Sequence, residues 1–339
     1  MKQKRGYLLL ILVSGLSYFS AIAQDYEEIY DDPYAINKLF VAFQPFYGEL
    51  FATNVNAGFG FEVDYFHKKM FSVKGHMRKT YSSRFYDFNR ELAGRNSMSE
   101  NKPEIFNYYE IGGTYHIKDF DESAPTLLVI RKKGTFSRQL ASTIQHTTEV
   151  TAKVRKIYGA RAGAIIWNST ADITRTLEKQ GLTNTDLVTA DNLPLPATYV
   201  DENGETQNLT TYSNLYTTNL YAGFSYTQIR NFAVSFDNYQ ESMDDGIVTF
   251  FADVMFAPSM TLDPVLYGGR EYHTDVIKLN NIGFRAGMDG KYNRKIAWSY
   301  GGEIGYRPSL DGRGFFALLK IAFPVFSSNL QKKVENVDE

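Results

Sequence analysis

The feature that most constrains this chain is a two-residue alternation of apolar and polar side chains, held over stretches of about ten residues and repeated along most of its length. From 57 to 65, Ala57, Phe59, Phe61, Val63 and Tyr65 alternate with Gly58, Gly60, Glu62 and Asp64. From 109 to 118, Tyr109, Ile111, Tyr115 and Ile117 oppose Glu110, Gly112, Thr114, His116 and Lys118. From 152 to 166, Ala152, Val154, Tyr158, Ala160, Ala162, Ala164 and Ile166 oppose Lys153, Arg155, Gly159, Arg161 and Gly163. The second half repeats the pattern, as in Val248 to Phe256, Ile282 to Met288, Trp298 to Tyr306 and Phe315 to Phe323. A strand of this length with one wholly apolar face suits a membrane-crossing β-strand. In hydrocarbon every backbone N–H and C=O must pair within the protein, which a closed barrel achieves without helices. A soluble β-sandwich also alternates, but with shorter strands and no need for aromatic residues near the ends of its apolar faces. The expected fold is therefore all-β, a transmembrane antiparallel β-barrel.

The N-terminus carries an export address. Lys2, Lys4 and Arg5 precede an apolar run from Tyr7 to Val13, and Ala21-Ile22-Ala23 fits a small-x-small cleavage site. Cleavage between Ala23 and Gln24 is expected, with residues 1–23 as the signal peptide. No later stretch offers 18 consecutive apolar residues, so no spanning helix is expected in the mature chain. With no cysteine among 339 residues, a lipid-anchored cysteine, a disulfide framework and a thiolate metal site are excluded. A formal charge of −2 gives no electrostatic footprint for nucleic acid. Tyr (24) and Phe (25) are abundant, as strands and membrane interfaces favour.

Twelve strands are expected, near 38–47, 55–66, 70–81, 105–118, 124–133, 150–167, 212–228, 231–237, 246–257, 276–289, 294–307 and 314–326, and the stretch 134–150 leaves room for fourteen. They make one barrel over 38–326, preceded by a short polar periplasmic lead (24–37) and followed by a polar tail (327–339). Long connections fall at 82–104, 168–211 and 258–275, the middle one with a short helix between Ala171 and Gln180. Tight turns are expected at Asp289-Gly290 and Asp311-Gly312. With twelve strands these three connections cannot all lie at one end of the barrel, and Arg131 to Thr151 is where the threading is expected to need revision.

The phase opposite the apolar one places charges in the lumen: Glu62, Asp64, Lys74, Arg78, Glu110, Lys118, Lys153, Arg155, Arg161, Asp253, Arg285, Asp289, Glu303, Arg307 and Lys320. Two readings follow. Opposite charges could pair into a filling that braces a narrow barrel, since unpaired buried charge is costly, or they could line a water-filled pore. Lys153, Arg155 and Arg161 form a basic stripe that would attract an anionic solute. Of the five histidines, His76 and His116 share the lumen phase with Glu62 and Glu110, but no nucleophile–histidine–acid motif is visible, and a non-enzymatic protein is expected. Asp201 to Glu205 resembles only part of a calcium loop, and no phosphate loop or dinucleotide fingerprint is present. No catalytic residue, cofactor or metal site is expected.

The signal ending in Ala-Gln-Asp, the Tyr/Phe-rich strands, and the phrases Phe251-Ala-Asp-Val-Met-Phe-Ala-Pro258 and Glu303-Ile-Gly-Tyr-Arg-Pro308 resemble outer-membrane barrels of the Bacteroidota. That resemblance implies an accessory or structural subunit of a larger outer-membrane machine for secretion, assembly or uptake, with outer-membrane lipid and other outer-membrane or periplasmic proteins as partners. The alternative is a passive porin or channel for small solutes.

Overall fold

The computed structural model describes residues 26–52, 54–67, 69–81, 99–102, 104, 106–130, 146–237, 241–293 and 298–328. The signal peptide with its cleavage site, most of the connection 82–104 and the tail beyond 328 lie outside the described residues. Ten antiparallel strands close on themselves. They are β1 (Leu39–Phe51), β2 (Asn54–His67), β3 (Phe71–Thr80), β4 (Asn107–Ile130), β5 (His146–Asp172), β6 (Tyr212–Arg230), β7 (Gly246–Leu262), β8 (Ile282–Tyr292), β9 (Ser299–Tyr306) and β10 (Phe315–Ser328). Each pairs with its neighbours in sequence, and β10 pairs back to β1. Among the described residues no helix is long and apolar enough to cross a membrane.

The expected count of twelve is corrected to ten. The stretches 105–118 and 124–133 are one 24-residue strand, β4, which runs through Pro125. Beyond His116 this strand has lost β3 as a neighbour, so Pro125 sits where only one side of the strand is paired, which is where a strand tolerates proline. The stretch 231–237 leaves the barrel altogether: Phe232–Ser235 joins Glu27–Asp31 and Ser242–Asp244 in a separate three-stranded sheet. With ten strands the threading resolves. The connections β3–β4, β5–β6 and β7–β8, which contain the three long ones, all fall at one end, the loop end, and both termini of the barrel fall at the other. Asp311-Gly312 is a turn, with Gly312 at φ +76°, whereas Asp289-Gly290 lies inside β8. The short helix is present as α1 (Ile173–Lys179), whose first turn is capped by the Asp172 carboxylate accepting from Arg175 N–H at 3.0 Å.

The outer wall is apolar. Cross-strand neighbours Ala160, Phe224, Ala252, Ala286, Ile304, Ala317 and Leu50 run in one row over seven strands. Phe224 and Leu319 are 70% and 71% exposed on this wall, far more than a water-soluble core-forming strand leaves bare. At the termini end, β4 and β5 continue as a projecting hairpin. There the outward apolar phase is covered: Leu128, Ile130, Val150 and Ala152 are buried against Phe232, Val234 and Phe236 of the small sheet.

Two hydrophobic layers close the cylinder. At the loop end Phe51, Ile165, Trp167 and Phe316 from the strands, with Phe106 just before β4, meet Ile173, Leu177, Leu187, Leu195, Leu209 and Val265 from the long connections. At the termini end Ile36 of the N-terminal lead packs on Phe40, Ile157, Ile229 and Ile247. The lead is clasped across that mouth. Asn231 Nδ2 donates to the carbonyls of Asp32 and Ala35 at 2.8 and 3.1 Å, and Asn37 donates its backbone N–H to Asn293 Oδ1 and its Nδ2 to the Asn293 carbonyl, both at 2.7 Å. Tyr34 lies under the Lys69 ammonium and the Arg155 guanidinium and donates its hydroxyl to Asp121 at 2.9 Å. Burial and that hydrogen bond push the Tyr34 phenol up to about 12.

Candidate functional site: the barrel interior

Between the two apolar layers the lumen holds a network of ion pairs, because the inward phase of nine of the ten strands, all but β6, carries charge. Its hub is Arg285 on β8. The guanidinium donates to Glu110 Oε1 at 2.6 Å and Asp253 Oδ2 at 2.9 Å, reaches Glu303 Oε2 at 3.5 Å, and lies 4.5 Å from the ring centroid of Tyr221. Glu110 also accepts from the Tyr108 hydroxyl at 2.7 Å. Arg161 Nε is 3.0 Å from Asp253 Oδ1, in ion-pair contact without hydrogen-bond alignment, and stacks at 4.2 Å over Phe251. Toward the loop end, Arg307 grips Glu49 with two parallel hydrogen bonds of 2.6 and 2.9 Å, and Arg78 approaches the same carboxylate at 3.4 Å while stacking at 3.8 Å on Tyr108.

A second group lies toward the termini end. Lys320 bridges Glu62 and Asp289, the latter at 2.7 Å, and Lys74 joins Asp289 at 2.5 Å. Asp64 pairs with Lys291. His76 hydrogen-bonds Gln44 at 2.9 Å and sits 3.5 Å from Glu62. At the rim Arg155 and Asp119 make a bidentate pair of 2.7 and 2.5 Å. The side chains of Glu49, Arg78, Glu110, Asp253, Arg285 and Glu303 are all almost fully buried, so each carries a desolvation cost that only these partners offset.

Most inward positions expected from the alternation are where the phase puts them, and each of Glu62, Asp64, Lys74, Arg78, Glu110, Arg155, Arg161, Asp253, Arg285, Asp289, Glu303, Arg307 and Lys320 has an opposite charge beside it. Two positions are corrected. Lys153 lies in the projecting hairpin, past the last residue of β5 that pairs with β6, and is exposed. Lys118 follows a bulge in β4 and is also exposed, its ammonium 4.4 Å from the ring centroid of Phe120. The basic stripe therefore does not exist: Arg155 belongs to Asp119, Arg161 to Asp253, and Lys153 faces solvent. Three partners were not among the expected lumen charges. Glu49 and Asp119 each follow a β-bulge that flips the inward parity of β1 and β4. Lys291 lies on β8 beyond the expected turn at 289–290, in phase with Asp289.

One cavity of about 50 Å³ lies among Lys74, His116, Thr227, Thr249, Asp289 and Lys291, room for one or two waters. A concavity of about 1000 Å³ is a groove on the outer wall floored by Ala160, Ala222, Ala252 and Ala286, and so is no passage through the barrel. The glycines of the inner face do not leave a channel either. Tyr221 fills the space over Gly112 and Gly163, where an added Cβ at 163 would stand 2.6 Å from its ring and 2.4 Å from the Ile111 carbonyl oxygen. Among the described residues no group of three or more His, Asp or Glu is placed to hold a metal ion. The acidic 201–205 segment is a hairpin tip, in which the Asp201 carboxylate accepts from the backbone N–H of Asn203 and Glu205. No protein-family model matches the chain, and no curated protein matches it.

Proposed function

We propose that the chain is an integral outer-membrane β-barrel with a non-conducting lumen, serving as an accessory or structural subunit of a larger outer-membrane complex of the kind its sequence phrases resemble. The outer wall supports the membrane placement, since its exposed apolar rows suit lipid and would be costly in water. In that placement the termini end, with its projecting hairpin and small sheet, faces the periplasm, and the capped loop end faces out. The single observation that carries the silent-lumen reading is the continuous filling: an apolar cap, a charge network with opposite signs in contact, and an apolar floor that includes the chain's own Ile36. A passive channel would need a continuous wet path, and the cavity among Lys74, His116 and Asp289 holds only about 50 Å³.

A barrel of this build has no substrate to move through its centre, so its contribution lies in its two ends, which dock other components. The test is purified, folded protein in planar bilayers. The expected result is no steady current above the empty-membrane baseline. Steady ohmic current, with a conductance that scales with salt, supports the channel reading instead. Recovery of folded protein from the soluble periplasmic fraction without detergent would overturn the membrane placement itself.

A further inference from the structure

Where the two ion-pair groups of the lumen meet, the cavity of about 50 Å³ is walled by side chains that offer hydrogens and find no acceptor. Arg161 reaches it from β5. Its side chain is 8% exposed, and its one ionic contact among the described residues is Nε to Asp253 at 3.0 Å, without hydrogen-bond alignment. Asp253 is also held by Arg285, which does donate to it, at 2.9 Å. The Arg161 guanidinium itself donates no hydrogen bond among the described residues. Tyr221, Ser225 and Thr114 line the same cavity, and their hydroxyls have no hydrogen-bond partner among the described residues either. Tyr221 and Ser225 are 6% and 7% exposed. Buried donors of this kind, a guanidinium above all, are costly unless something accepts from them.

The charge on the wall selects the occupant. Lys74, Lys291 and Arg161 stand there against two carboxylates, Asp64 and Asp289. Both carboxylates are turned to lysines: Asp64 to Lys291, and Asp289 to Lys74 at 2.5 Å and Lys320 at 2.7 Å. The wall is thus at least one cation in excess, and that cation is Arg161. A bound cation would stand among three like charges, and a neutral solute would leave Arg161 with half a counter-ion. The volume suits one small ion and no organic acid. We infer that this cavity binds a single small monovalent anion, chloride in kind, which accepts hydrogen bonds from the Arg161 guanidinium and from the hydroxyls of Tyr221, Ser225 and Thr114. The anion then belongs to the filling of the barrel and joins its two ion-pair groups.

This inference rests on the filled lumen and not on the docking role. The test uses the full processed protein folded in lipid vesicles and unfolded with urea, while chloride replaces gluconate at constant ionic strength so that screening stays fixed. The ratio of folded to unfolded protein should rise with chloride, about tenfold once chloride stands at ten times its dissociation constant. Arg161→Gln should lose that gain. Ser225→Val, which removes a hydroxyl and fills the space, should lose it too while keeping the Arg161–Asp253 contact and the heat-modifiable gel migration. In bromide-soaked crystals of the unaltered protein, an anomalous peak should lie within hydrogen-bond reach of Arg161. An unfolding equilibrium of the unaltered protein that ignores chloride overturns the inference. So does an equal gain in both variants, which would mean a general salt effect, and so does bromide found only on the outer surface. Ohmic current with the chloride gain intact sinks the silent-lumen reading and spares this site, whereas a silent barrel without the gain sinks only the site.

Discussion

Replacing Arg285 with alanine removes the one cation shared by Glu110, Asp253 and Glu303. The three contacts are 2.6, 2.9 and 3.5 Å, and the carboxylates are at most 3% exposed. Removing one partner of a buried pair leaves an uncompensated charge and costs about 3–5 kcal/mol. Two of the orphaned groups keep some support, since Asp253 retains Arg161 and Glu110 retains the Tyr108 hydroxyl, whereas Glu303 retains no ion pair among the described residues. The expected loss is therefore about 4 kcal/mol rather than a multiple of it, roughly a thousandfold in the folding equilibrium. Urea unfolding of the protein in lipid vesicles, followed by tryptophan fluorescence and by the heat-modifiable gel shift, measures it. Arg285→Ala combined with Glu110→Gln and Glu303→Gln should recover most of the loss, because neutral amides need no counter-charge. If Arg285→Ala alone costs under about 1 kcal/mol, as a surface ion pair would, water reaches these carboxylates and the filled lumen is refuted.

Three further substitutions probe other parts of the reasoning by the same unfolding assay. Ala162→Arg, on the exposed outer wall of β5, should cost about 2–4 kcal/mol if that level lies at the bilayer midplane, and a neutral result would move it out of the hydrocarbon. Gly163→Ala, one residue on and inward, meets Tyr221 and the Ile111 carbonyl and is an overpacking change of about 1–3 kcal/mol; Tyr221→Ala in the same chain should relieve part of the added strain. Lys153→Gln should stay within about 0.5 kcal/mol of the parent, whereas a large loss would return Lys153 to a buried role.

The outward phase was readable because the pleat of a closed wall imposes a two-residue period: Phe224, Phe284 and Leu319 declare their side by themselves. The inward phase was readable wherever a strand keeps that period unbroken, as for Arg285 and Glu303. It failed at bulges. In β1 the inward set changes from Phe40, Ala42 and Gln44 to Tyr47, Glu49 and Phe51, so Glu49, which anchors Arg78 and Arg307, reads as an outward residue to anyone counting by twos. In β4 the same slip exchanges Lys118 for Asp119. Which charge meets which was hidden for a different reason: Arg285 and Glu110 are 175 residues apart and meet across the lumen, a relation set by barrel closure and not by any local pattern. The length of β4 was missed at the polar stretch from Asp119 to Ser123, which separates the two expected strands and which the structure runs through as continuous strand.

The shared cations of the lumen bear on how the wall is put together. Lys320 comes from the last strand, β10, and serves carboxylates on β2 and β8; Arg307, just after β9, serves Glu49 on β1. A cylinder still lacking its final staves would hold Glu49, Glu62 and Asp289 facing an opening with part of their counter-charge missing, a state that hydrocarbon punishes and that water at an unsealed seam would flood. In the proposed membrane placement, insertion is thus driven toward an all-or-nothing event in which the first and last segments of the polypeptide must arrive together.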